Sequence, residues 1–271
     1  MGLNCDVASD NGNVMRLTSL LRNSLTTAVA ICALGANTGC DADELFGLDS
    51  DGGGLVNVFS THHASPTDEG EIPDRTAMPE FTTDEGWEVV VSDSILVTAS
   101  VTLRKCGAGS TFDVDMYFGA LPEDLTGTDL VVTGIGGVDV PKGEYCSVTV
   151  DYAPLTAELA TDGGFEMPDS RIDGHTLLLE GTARKDGVTV PFEIVSAFAS
   201  TVDVNLPVPL DVGKREAFAK ELTVSKTYDR FFDGIDFERL DTLDLDTHFA
   251  QVLSNQTWAV AGTNPVPPPP R

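Results

Sequence analysis

The chain has 271 residues with 43 acidic and 16 basic side chains, which gives a formal net charge of −27 at pH 7. An electrostatic field of this sign repels nucleic acid and anionic lipid headgroups, so it argues against both as partners. Cations and basic proteins stay compatible, and the acid excess is also typical of salt-adapted proteins whose self-repulsion is screened by salt.

Residues 15–39 are predicted to be an export signal. Arg16 precedes an apolar run at 25–34, and small residues then lead to Cys40. This order matches the basic, apolar and cleavage regions of a secretory signal, and the run is shorter than the roughly 20 residues of a membrane span. Cys40 stands where a bacterial lipobox has its acylated cysteine, although Asn37 replaces the usual leucine-like residue. We therefore expect an exported protein of the bacterial cell envelope, anchored to the membrane by lipid at Cys40.

Three further segments are predicted to lie outside the folded domain. Residues 1–14 contain two aspartates that oppose a basic signal start, which indicates a mis-assigned start; a naturally long basic region is the alternative. Residues 40–80 are acidic and glycine-rich, which predicts a flexible tether because such a segment buries too little apolar surface to offset its ordering entropy. Residues 263–271 form a proline-rich tail that is expected to be disordered.

Residues 81–262 have the pattern of an all-β domain. β-branched and apolar residues recur with a period of two around 87–103 and again at 145–152, as a half-buried pleated surface favours. Seven or more short strands with turn signals between them predict an antiparallel β-sandwich.

Local signals place three elements inside this domain. Asp186-Gly187 lies between two strand-like runs and predicts a tight hairpin, because both residues tolerate the positive φ angles of a primed turn. Leu243–Leu253 is the best helix candidate, which gives one short C-terminal helix. The glycine-rich stretch 134–137 is interpreted as a loop or bulge, because it lacks the spacing of a dinucleotide-binding loop.

Cysteine counting predicts one disulfide. Of five cysteines, only Cys106 and Cys146 remain in the predicted exported domain beyond Cys40, and an oxidising compartment favours their pairing. Cys146 alternates in phase with Val148 and Val150, so we expect it in the core, where the disulfide would tie one sheet to the other. A metal-binding thiol pair is the rival interpretation, but no CxxC motif or Cys/His cluster supports it.

Only four histidines are available as metal ligands, and none forms a known ligand motif. His175 follows a glycine at a strand entry and His248 lies in the predicted helix; these two are the candidate metal ligands, with an ordinary surface or boundary role as the alternative. His62 and His63 lie in the expected tether, where an adjacent pair can bind Cu(II) or Zn(II) weakly. No Gly-x-Ser-x-Gly or Ser-x-x-Lys arrangement is present, so we do not expect an enzyme.

Two stretches carry a resemblance to known proteins. Gly86-Trp87-Glu88-Val89 and the segment 224–237 are similar to uncharacterised exported lipoproteins of Gram-negative bacteria. They resemble more distantly the methanobactin-associated periplasmic copper-binding proteins, which accompany di-haem peroxidase-like partners. That resemblance implies a β-sandwich, copper as the ligand and commonly a four-cysteine pattern, of which this chain has Cys106 and Cys146.

Together these observations predict a lipid-anchored binding or interaction module of the envelope without enzymatic activity. A transition metal such as copper is the sharpest form of that prediction. The alternatives are an envelope hydrolase whose carboxylates meet only in the fold, and a purely structural surface lipoprotein.

Overall fold

The computed structural model describes residues 53–67, 72, 80–107, 113–213 and 219–262. The predicted signal at 15–39, Cys40, residues 1–14 and the tail at 263–271 lie outside these residues. Within them the chain is mostly β-strand, which confirms the predicted fold class. The strands are β1 Gly53–His63, β2 Glu80–Thr82, β3 Glu88–Lys105, β4 Val114–Asp124, β5 Thr133–Pro141, β6 Gly143–Tyr152, β7 Leu177–Lys185, β8 Val188–Ser196, β9 Ser200–Val212, β10 Lys220–Thr227 and β11 Thr257–Ala261.

The helices are short. They are the α-helices α1 Ala157–Gly163 and α2 Leu245–Gln256, and 3-10 turns at Ser170–Ile172, Asp229–Phe232 and Phe237–Thr242. No helix in the described part of the chain is both long enough and apolar enough to span a bilayer.

The strands form two sheets. One has the order β8-β7-β3-β6-β9, with β2 and β4 also paired to β3, and all of its pairs are antiparallel. The N-terminal part of β3 pairs with β2 and β7 and its C-terminal part with β4 and β6, with breaks in register near Asp93 and Ala99. The other sheet has the order β11-β10-β1-β5. In it β1 runs parallel to β10, a departure from the predicted all-antiparallel arrangement.

The predicted tether at 40–80 is wrong for residues 53–63. This stretch is β1, an interior strand paired on both sides, and Val56 and Val58 of β1 are fully buried in the core. The backbone hydrogen bonds and buried valines of β1 stabilise this strand, although the composition of the surrounding segment is typical of a flexible tether. The β-domain therefore includes residues N-terminal to the predicted boundary at 81.

The structure confirms the three local predictions. The hairpin is confirmed, with positive φ at Asp186 and Gly187 between β7 and β8, and the C-terminal helix is confirmed as α2. The interpretation of 134–137 as a loop or bulge is confirmed as a bulge, because these residues belong to edge strand β5 and its register against β1 shifts between Gly134 and Gly136. Gly136 and Gly137 pair with β1 where an added Cβ would come within 2.8 Å of a backbone or side-chain oxygen. Their lack of a side chain therefore permits this close approach.

The predicted disulfide is confirmed, but its place in the fold differs. Cys106 and Cys146 are bonded with Cα atoms 4.9 Å apart. Cys106 directly follows β3 and Cys146 lies in the neighbouring strand β6, so the bond joins two strands of one sheet rather than two sheets. The register shifts at Cys146, which is only half-buried, while Tyr145 beside it is fully buried. A bulge of this kind interrupts the alternation on which the prediction of a core cysteine rested.

Aromatic side chains fill the core on the side of the 3-10 turns. Phe232 lies 5.4 Å from Phe81 and 5.6 Å from Phe192, measured between ring centroids. Trp87 packs edge-on against Phe237 at 5.5 Å. Each such pair adds about 0.5–1.5 kcal/mol beyond the burial of its area. This packing holds the segment after β10 against the first sheet and so fixes the end of β1 beside it.

Candidate functional site

An unusual polar group lies where β1 ends. His62 and His63 are its last two residues and pair in register with Lys226 and Thr227 of β10. His62 is 7 % exposed and His63 is fully buried. Histidine is normally intermediate in burial, so two adjacent buried imidazoles call for a physical explanation.

Burial keeps both imidazoles neutral at pH 7. It is the main cause that lowers the pKa of His62 and of His63 below the ordinary value of 6.5. The negative charge of Asp129 opposes this shift at both rings, and that of Glu123 opposes it at His62, without overcoming it. The neutral ring is the form that binds transition metals.

The hydrogen bond of His63 fixes its tautomer. Nδ1 lies 2.6 Å from the carbonyl oxygen of Ala64, and a neutral ring can donate to a carbonyl only from its single N–H. The proton is therefore on Nδ1, and Nε2 has a free lone pair. Nε2 is buried and has no hydrogen-bond partner among the described residues.

Trp258 of β11 packs against the imidazole ring of His63. The two ring centroids are 4.7 Å apart in an edge-to-face arrangement, and the indole Nε1 is also buried without a hydrogen-bond partner in the part of the chain described. Indole is only a donor, whereas His63 Nε2 is only an acceptor. Two buried nitrogens of this kind each carry a desolvation cost that the surrounding structure must offset.

Asp129 secures the chain that leaves β1. This buried carboxylate accepts hydrogen bonds from the amide of Ala64 at 3.3 Å and from the Tyr228 hydroxyl at 2.9 Å. Tyr228 in turn packs against His62, with ring centroids 5.9 Å apart, and its amide donates to the carbonyl of His63. Asp129 thus links the histidine pair to the aromatic core.

His62 faces different neighbours from His63. Its Nε2 lies 3.5 Å from the carbonyl oxygen of Gly127, and its own carbonyl accepts from the amide of Leu130. The contacts of His63, in contrast, are with Ala64 and Trp258. Of the two rings, His63 has the buried nitrogen without a hydrogen-bond partner among the described residues. We define the candidate site as His63, with Trp258 beside it and Asp129 behind the chain.

The two histidines predicted as metal ligands lie elsewhere. His175 precedes β7 and forms an isolated bridge with Leu155, and its Nδ1 is buried without a partner among the described residues. His248 lies on α2, where Nε2 is 2.9 Å from the carbonyl oxygen of Phe231. Nowhere in the described ranges do three or more His, Cys, Asp or Glu side chains form a group that could hold a metal ion. Metal ligation by His175 and His248 stays a prediction.

A sequence signal for the histidine site was present. The apolar residues Val56 and Val58 alternate with other residues just before the histidines, which is a strand pattern. The acidic and glycine-rich flanks are typical of a flexible tether and favour that interpretation over a strand.

The chain matches no known protein family and no curated protein. Among solved structures it is similar to MbnP from Methylosinus trichosporium, with 10 % identity over 64 % of this chain and 76 % of that chain, and a TM-score of 0.34. This likeness agrees in part with the resemblance stated from the sequence. It is too weak to carry an argument about the site.

Proposed function

We propose that this domain is a non-enzymatic binding module of the bacterial cell envelope that takes up a copper ion, with His63 as a nitrogen donor. The supporting observation is the buried, unpartnered Nε2 of His63. Buried polar atoms are normally hydrogen-bonded, so an exception calls for an explanation, and a bound metal ion would supply the missing partner of His63 Nε2.

The surroundings of His63 fit a metal-bound imidazole. A ligating histidine normally donates its other ring N–H to a carbonyl or carboxylate, which fixes the tautomer and aims the free nitrogen. His63 makes this bond to Ala64 through Nδ1. Imidazole nitrogen suits copper and zinc, whereas the carboxylates that dominate the surface suit harder cations such as calcium and magnesium.

Nearby carboxylates support the site indirectly. The carboxylate oxygens of Asp129 accept from Ala64 and Tyr228, so this side chain positions the loop after His63. The donor available to a metal ion is the imidazole nitrogen of His63, and it favours copper over a hard cation. The proposed location in the envelope, with lipid at Cys40 as the membrane anchor, rests on the sequence pattern at 15–40.

A titration with single-site variants tests this function. The exported chain would be purified from an oxidising compartment and titrated with Cu(I) against a chromogenic competitor. His63→Asn is the informative variant, because its amide can still donate to the Ala64 carbonyl while Nε2 is removed. His175→Ala and His248→Ala are the matched controls.

We expect one equivalent of Cu(I) to bind the wild type at or below micromolar concentration. His63→Asn should lose that binding while circular dichroism shows an unchanged fold, and both controls should retain it. Unchanged binding in His63→Asn would contradict the role of His63. Binding no tighter than millimolar in the wild type would contradict the function itself.

A further inference from the structure

A buried ion pair crosses the core between the two sheets. Lys226 of β10 is fully buried and Glu123 of β4 is 8 % exposed, and Lys226 Nζ contacts Oε2 of Glu123. Ser60 Oγ donates to Glu123 Oε1 at 2.7 Å, and Thr98 Oγ1 donates to Oε2 at 3.3 Å. Both oxygens of the carboxylate are thus held in place beside the amine.

Two full charges are costly in this place. Neither metal binding nor the aromatic core uses the pair, and Val58 and Val224, two residues before Ser60 and Lys226 on their strands, are completely or almost completely buried in the core. A buried salt bridge rarely recovers the desolvation of its two ions. Transfer of one proton from the ammonium to the carboxylate leaves an amine and a carboxylic acid, the two reactants of an amide condensation.

We propose that Lys226 and Glu123 condense to an isopeptide bond. The amine lone pair of Lys226 Nζ attacks Cδ of Glu123 and forms the C–N bond. A proton from the nitrogen passes to one carboxyl oxygen, the C–O bond breaks, and that oxygen leaves as water. An ammonium and a carboxylate become one amide and one water, so charge and atoms balance without a further reactant.

The pair has the features that such a condensation requires. Direct contact between the two side chains replaces an encounter in solution, which is a major source of rate in intramolecular reactions. The hydroxyls of Ser60 and Thr98 already donate to the two carboxyl oxygens and can stabilise the negative charge that develops there. The product is uncharged, so the cost of burying two ions disappears.

The bond would give the fold a covalent link that the disulfide does not provide. Cys106 and Cys146 join strands within one sheet, whereas Lys226 and Glu123 belong to the two different sheets. An amide would therefore resist separation of the sheets in reducing conditions as well.

Mass spectrometry of the unfolded and reduced full-length protein tests the bond. The expected wild-type result is a mass one water lower than that of the uncross-linked chain, and a branched tryptic peptide that joins the Glu123 and Lys226 segments. Lys226→Arg should recover the uncross-linked mass, because guanidinium is a poor nucleophile. Lys220→Arg, a control on the same strand, should keep the loss of water.

A wild-type mass without this loss would overturn the proposal, and so would a loss of water that maps to other residues. Neither outcome depends on how well the variants fold, because the wild type alone decides it. The result is also independent of copper binding at His63.

Discussion

His63 and Trp258 lie edge to face, 4.7 Å apart between ring centroids, and each has a buried ring nitrogen without a hydrogen-bond partner among the described residues. The pair comes from the ends of strands on either side of β10, so the second sheet itself brings them together. The tautomer of His63 leaves a lone pair on Nε2, and it is this atom that we propose as the copper donor.

The buried histidines predict a loss of stability in mild acid. Burial lowers the pKa of His62 and His63 below 6.5, so protonation favours the unfolded chain. The free energy of unfolding should be unaffected by these groups above pH 6.5 and should fall as the pH drops from 6.5 through their folded pKa values. Urea unfolding at a series of pH values measures the slope, which should be shallower in His63→Asn. An equal slope in that variant would contradict the assignment.

Asp129 should matter for stability far more than its carboxylate charge suggests. Asp129→Ala leaves the Tyr228 hydroxyl and the Ala64 amide without this acceptor, which should cost about 1–3 kcal/mol of unfolding free energy. Asp115→Ala is the matched control, because Asp115 bonds only at an exposed position to Thr102, and it should change stability by less than about 0.5 kcal/mol. Equal effects in denaturant titrations of the two variants would contradict this role.

The disulfide should be a major part of the stability. It closes a sequence separation of 40 residues, for which the chain-entropy model gives about 3–4 kcal/mol. Cys106→Ser combined with Cys146→Ser should lower the unfolding free energy by that amount, and reduction of the wild type should have a similar effect. A loss below about 1 kcal/mol would show that the unfolded chain is not constrained by this loop.

The buried pair of Lys226 and Glu123 predicts a non-additive mutant cycle. Lys226→Met prevents the proposed cross-link and also leaves the Glu123 carboxyl in the core without its partner, and this unpaired group should itself cost about 3–5 kcal/mol. Adding Glu123→Leu removes the unpaired carboxyl, so the double variant, which also has no cross-link, should be more stable than Lys226→Met by about that amount. Chemical unfolding of the single and double variants measures the coupling. A double variant no more stable than Lys226→Met would contradict this account.

Local features were the ones that the sequence could predict. The hairpin at Asp186-Gly187 depends on two adjacent residues that tolerate positive φ, and the disulfide follows from counting cysteines. The bulge at Cys146 could not be predicted from the sequence, because it depends on how β6 pairs with its neighbours on both sides.

Long-range pairing explains what the sequence did not reveal. β1 is stabilised by a parallel partner from the opposite end of the domain, and its acidic, glycine-rich flanks suggested disorder. Lys226 and Glu123 are residue types that are almost never buried unless paired, and their pairing becomes visible only in three dimensions. The sequence shows His63 only as one of two adjacent histidines, because its burial and its tautomer follow from the sheet around it.

Long-range ¹H–¹⁵N NMR spectroscopy of the imidazole rings tests the proposed donor atom most directly. The metal-free protein should show His63 protonated at Nδ1 and unprotonated at Nε2, and one equivalent of Cu(I), or of Ag(I) as its stable substitute, should shift the Nε2 resonance. A proton on Nε2, or an unchanged His63 signal while His175 or His248 shifts, would contradict the account.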